Sequence, residues 1–94
     1  MFLTNAADVL RAAGLTVVEV PGWKTRSVNS GGLTGVLGGL VHHTATSNAA
    51  RGDYPSLNVV TYGRSDLAGP LAQFGVGRSG VWYVIAAGKA NHAG

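Results

Sequence analysis

Ninety-four residues, 46% of them hydrophobic and only 12% charged, make one small globular domain and exclude a disordered or strongly charged chain. The net charge is +3, but the seven Lys and Arg are scattered singly, with no basic run or helix face of the kind that follows nucleic acid. The lack of Cys excludes a disulfide framework and a thiolate zinc site. No apolar stretch approaches a membrane span, and Met1-Phe2-Leu3-Thr4-Asn5 lacks the basic and apolar regions of a signal peptide.

Asn5 is a good N-cap, and Ala6, Val9, Leu10 and Ala13 share one helical face before Gly14, so a helix is expected over 5–13. The β-branched residues 17–20 predict a strand that Pro21-Gly22 ends. A polar connection follows over 23–34, in which Trp23 reads as a packing anchor in preference to a ligand stacker. A central strand is expected over 36–43, its apolar residues and glycines running without a charge. Residues 48–54 form a polar loop. Pro55 suits the first turn of a helix whose spacing, through Leu57, Val60 and Thr61, holds up to Gly63. Residues 66–70 have turn chemistry. Two strands over 71–77 and 81–86 are joined by a tight turn at Arg78-Ser79-Gly80, and 87–94 is a loop. The order αβ–β–α–ββ indicates an α/β fold with a mixed sheet and flanking helices.

The most informative segment is Val41-His42-His43-Thr44-Ala45-Thr46, a histidine pair at the end of the central strand. Neighbouring side chains on a strand point to opposite faces, so His42 and His43 cannot both reach one metal ion or one substrate atom. One is placed for chemistry and the other for support, unless both are ordinary histidines satisfied by hydrogen bonds. The Gly75, Gly77, Gly80 spacing matches a dinucleotide-binding pattern, but it lies within a hairpin instead of between a strand and a helix, and is set aside.

Val41-His42-His43-Thr44-Ala45 resembles the first zinc motif of the N-acetylmuramoyl-L-alanine amidases, a family that includes amidase-type phage endolysins and shares its fold with the peptidoglycan recognition proteins. The hairpin from Phe74 to Val81 is similar to that family's strand–turn–strand, with Ser79-Gly80 where Asp-Gly is usual. The ending Ala90-Asn91-His92-Ala93-Gly94 resembles the His-Ala-Gly that follows the hairpin. The opening from Asp8 to Leu15, through Gly22-Trp23, looks like that of endolysins from phages of actinobacteria. The resemblance covers nearly the whole chain.

It implies a single amidase-like domain over 1–94, incomplete and truncated before the C-terminal strands and helix. It further implies zinc hydrolysis of the bond between muramic acid and L-alanine in peptidoglycan. His42 would be a Zn2+ ligand, His43 would be structural, and Thr44, Asn91 and His92 would contact substrate. As a phage endolysin the protein would reside in the host bacterial cytoplasm before lysis and act at the cell wall. Three departures bear on activity. The family's other zinc ligands fall beyond the His-Ala-Gly, where this chain has ended, and a catalytic zinc needs about three protein ligands. A Tyr-His pair expected in the hairpin's first strand is Ala72-Gln73 here, so the catalytic acid or base is unassigned. The remaining carboxylates, Asp8, Glu19, Asp53 and Asp66, stand outside the motif. The 94 residues alone are therefore expected to show little turnover. The alternatives are a non-catalytic peptidoglycan-binding module, or a half-domain that associates with a second copy or a complementary fragment.

Overall fold

The computed structural model describes residues 2–28, 32–33 and 52–91. The expected central strand over 36–43 lies outside them. The described elements are α1 (Ala6–Ala12), β1 (Val17–Glu19), α2 (Leu57–Tyr62), β2 (Gly63–Arg64), β3 (Leu67–Ala68), β4 (Phe74–Val76) and β5 (Trp82–Val84). β5 is the middle strand of a three-stranded sheet, parallel to β1 and antiparallel to β4, with Val17 and Val76 both opposite Trp82. β2 and β3 form a separate two-residue hairpin. The α/β reading with a mixed sheet therefore holds. Among the described residues no helix is long and apolar enough to cross a membrane.

Helix α1 ends as its sequence predicts. Gly14 at φ +88 lets its N–H reach the Arg11 carbonyl while the Leu15 N–H reaches Leu10, the two bonds of a Schellman motif. Its start differs from expectation, because the Asn5 side chain makes no capping bond. Asn5 sits at φ -98, ψ 6, inside a turn, and lacks the extended backbone from which a side-chain oxygen reaches back to the helix N–H groups. Pro55 likewise precedes α2 by two positions, with Ser56 at the N-cap.

Strand alternation divides the core in two. Val17, Val84 and Phe74 face α1 and Trp23, and Ala6, Ala7 and Ala87 complete that cluster. Tyr83, Val20 and Ile85 face the other way, toward Tyr54 and the α2 residues Leu57 and Val60. The sheet is thus the middle of three layers. The strands are shorter than the apolar runs predict, and the reason lies in their ends. Past β5, Ile85 and Ala86 both donate to the Gln73 carbonyl, at 2.8 and 3.2 Å. Two residues opposite one is the pattern of a β-bulge. The bulge puts Ile85 and Ala86 into the same cluster and returns Ala87 to the opposite one. Before β4, the Leu71 N–H turns aside to the Val60 carbonyl of α2.

Candidate functional site

His42, His43, Thr44 and His92 lie outside the described residues, as does the segment 34–51. Of the expected site residues Asn91 is described. Its backbone N–H donates to the Pro70 carbonyl and its side-chain amide to the Ala68 carbonyl, each at 2.8 Å. Both distances are those of well-formed bonds. In sequence, the described approaches to these segments are residues 52–54, which follow the histidine motif, and residues 85–91, which precede His92.

The first approach is held on the β4–β5 hairpin by Asp53. One carboxylate oxygen accepts the Ser79 N–H at 2.6 Å and the other accepts the Tyr83 hydroxyl at 2.9 Å. The Asp53 carbonyl accepts the Arg78 N–H at 2.8 Å, and Arg78 Nη1 donates to the Gly52 carbonyl at 3.4 Å. Beside it, the Tyr54 and Tyr83 rings stand 5.2 Å apart. This docking explains the glycine spacing of β4. A side chain at Gly75 would collide with the Tyr54 ring, and one at Gly77 with the Asp53 carboxylate. Positions 75 and 77 share one face of the strand, and two adjacent side chains fill the space that their missing Cβ atoms leave. The turn at Arg78-Ser79-Gly80 forms as expected, and its carboxylate partner comes from Asp53 instead of from within the turn. Sequence reasoning left Asp53 without a role. The signal that could have found it is the alternation of Gly75 and Gly77 within a strand, which calls for something packed closely over that face.

The electrostatics of this cluster are those of a clamp. The backbone N–H of Ser79, then the Ser79 and Tyr83 hydroxyls, hold the Asp53 carboxyl below its ordinary pKa, while the bond to Asp53 pushes the Tyr83 phenol above its own. Both shifts move away from neutrality. An efficient acid or base near pH 7 needs the opposite. The clamp thus joins a protonated Tyr83 to a charged Asp53. The Tyr-His pair that the resemblance implies falls at Ala72-Gln73. Those two positions serve the fold: Ala72 packs against the α2-side cluster, the Gln73 carbonyl anchors the bulge, and its Nε2 donates to the Gly88 carbonyl at 3.2 Å.

Trp23 is the packing anchor expected of it, 4% exposed, with Nε1 donating to Glu19 at 2.9 Å. Glu19 also accepts Arg11 Nη1 at 2.9 Å, and this bond first, then that of Trp23, lowers its carboxyl pKa. Arg26 is a second structural residue that sequence did not single out. Its guanidinium donates to the Ile85 carbonyl at 2.8 Å and the Pro21 carbonyl at 2.6 Å, and lies 5.7 Å from the Tyr62 ring centre. Among the described residues no group of three His, Cys, Asp or Glu side chains stands close enough to hold a metal ion. Comparison with known protein families, with curated proteins and with solved structures finds no match.

Proposed function

We propose that these residues belong to a zinc-dependent N-acetylmuramoyl-L-alanine amidase of the phage-endolysin type, a peptidoglycan hydrolase that cleaves between muramic acid and L-alanine. The observation that carries the reading is the order of three features along the chain. His42-His43-Thr44-Ala45 comes first, then the β4–β5 hairpin turned at Arg78-Ser79-Gly80, then Asn91-His92-Ala93-Gly94. Support also comes from the mixed sheet between two helices, and from tight bonding of the chain on the hairpin side of both histidine segments.

In this reading His42 supplies a ligand to Zn2+, His43 supports the strand from its other face, and Thr44 and His92 contact the muramoyl peptide. Zinc, when bound, polarises the scissile carbonyl and lowers the pKa of its water toward ~7. The described residues do not fit the remainder of such a site. Glu19 and Asp53 are each engaged by two donors, and Asp66 lies 3.3 Å from Arg64. No proton-transfer step is assigned to them. Their part is to hold the chain: Asp53 fixes the 52–54 segment on the hairpin, and past the bulge at Ile85 the chain is bonded to Leu3, Trp23, Arg26, Ser27 and Val28.

Sedimentation with purified sacculi, together with mass spectrometry of released peptides in the presence of Zn2+, tests the reading. The 94-residue chain is expected to sediment with sacculi, to be displaced by muramyl dipeptide, and to release stem peptides slowly. His42→Ala should abolish whatever release occurs, and His43→Ala should not. Retention without any release identifies the non-catalytic binding module. Absence of both retention and release refutes the amidase reading.

A further inference from the structure

The outward side of α2 carries apolar residues. Val60 and Thr61 are buried, while Asn58, Val59 and Tyr62 face solvent, Val59 at 44% and Tyr62 at 70% exposure. A surface helix ordinarily turns polar residues outward. Here a tyrosine ring stands open at the last position of the helix, and the Arg26 guanidinium lies 5.7 Å from the ring centre.

Arg26 is fixed by the fold, but its charge is not balanced. Nη1 donates to the Ile85 carbonyl and Nη2 to the Pro21 carbonyl, and both acceptors are neutral. Among the described residues, ion pairs join Arg11 to Glu19 and Arg64 to Asp66, and neither reaches Arg26. The Nε–H and the second hydrogen of each terminal nitrogen are left uncommitted among the described residues. A planar set of donors of this kind matches a carboxylate, and a guanidinium already held in place loses little freedom when one binds. The backbone of residues 26–28 is bonded to Gly88 and Lys89, which brings Lys89 in as a second exposed cation.

We infer that Tyr62 and Arg26 form a binding site for an acidic sugar, with the sugar ring lying on Tyr62 and its carboxylate on the Arg26 donors. One open ring beside one fixed guanidinium suits a single sugar unit. The scattered cations of this chain do not make the track that a nucleic acid needs. The identity of the sugar rests on the amidase reading. Hydrolysis of the muramoyl–alanine amide breaks its C–N bond, adds the oxygen of water to the acyl carbon and sends a proton to the departing amine. Muramic acid is left with a free carboxylate. The site therefore takes glycan from which the stem peptide has been removed, and uncut glycan, which lacks that charge, binds it less well.

N-acetylmuramic acid is the probe, titrated into the 94-residue chain and followed by NMR of the tyrosine rings and arginine side-chain N–H groups. It should move the Tyr62 and Arg26 signals. Its methyl ester, the same sugar without the charge, should bind about tenfold more weakly, the worth of one charge-assisted hydrogen bond. This comparison tests the charge without disturbing the bonds by which Arg26 supports the fold. Tyr62→Ala, at an exposed position, should weaken binding of the acid by a similar factor with the melting temperature unchanged, and Tyr62→Phe should restore it. Equal affinity for acid and ester, or an affinity that Tyr62→Ala leaves untouched, overturns the site. Acetate that competes as well as the sugar acid shows an anion site without sugar recognition, and an oligonucleotide that displaces the sugar at lower concentration assigns the surface to nucleic acid; each overturns the inference. All four outcomes leave the amidase reading in place, since that is tested by retention on sacculi. Failure of that retention overturns the reading, and with it the assignment to peptide-free glycan.

Discussion

Asp53 has the most consequential side chain among the described residues, because one carboxylate organises a turn, a tyrosine and the start of a helix-bearing segment. Its contribution to stability depends on charge. The folded-state pKa is lowered, chiefly by the Ser79 N–H, so the unfolded chain takes up the proton first as the solution is acidified. The stabilisation is therefore complete above the unfolded aspartate value of about 3.9 and disappears as pH falls through the lower folded value. Urea unfolding of the wild type and of Asp53→Asn should show a stability difference that is constant from neutral pH to about pH 5 and shrinks below about pH 4. Glu19, lowered by Arg11 and then Trp23, is present in both proteins and cancels in the comparison. A difference unchanged far into acid would mean that the carboxylate's charge is irrelevant to the clamp.

At the level of elements, the fit between β4 and the 52–54 segment is steric as well as polar. Gly75→Ala drives a methyl group into the Tyr54 ring, and overpacking of this kind costs about 1–3 kcal/mol. With Tyr54→Ala already in place the same change should cost far less, giving a coupling of about 0.5–3 kcal/mol in a double-mutant cycle. Additive effects would show that the ring does not occupy that space. This contact also marks where sequence reading stops. α1, β1, α2 and the hairpin were legible because each carries its own punctuation: Gly14 after a helical stripe, Pro21-Gly22 after a β-branched run, Gly63 after Leu57-Val60-Thr61, and Arg78-Ser79-Gly80 between apolar runs. The shortness of the strands was not legible. The bulge at Ile85-Ala86 and the diversion of Leu71 to α2 depend on partners 12 and 11 residues away in sequence. The roles of Asp53 and Arg26 were hidden for the same reason, since Asp53 bonds Ser79 and Tyr83, 26 and 30 residues away, and Arg26 bonds Ile85, 59 residues away. Of the expected site residues, Asn91 alone falls among the described ones.

At the scale of the whole molecule, the described residues are organised around one stretch, Val84 to Ala87, in which every residue is 0% exposed. Val84 and Ala87 belong to the α1-side cluster, Ile85 and Ala86 to the α2-side cluster, so four consecutive residues join the two faces of the sheet. A chain of this size buries too little apolar surface for either cluster to stand alone. The two layers should therefore unfold together. The aromatic residues allow each layer to be watched separately, because Trp23 and Trp82 lie on the α1 side while Tyr54 and Tyr83 lie on the α2 side. Tryptophan fluorescence and the ring NMR signals of the two tyrosines should report one melting transition. Ile85→Ala removes volume from the α2-side cluster only, at a cost of about 2–5 kcal/mol. In a domain of this length that lowers the melting temperature by roughly 10 °C or more. The tryptophans should register this loss as fully as the tyrosines do, although the substitution leaves their own cluster intact. If the tyrosine signals melt early and the tryptophan fluorescence holds at its wild-type temperature, the two layers are independent and the 84–87 stretch does not couple them.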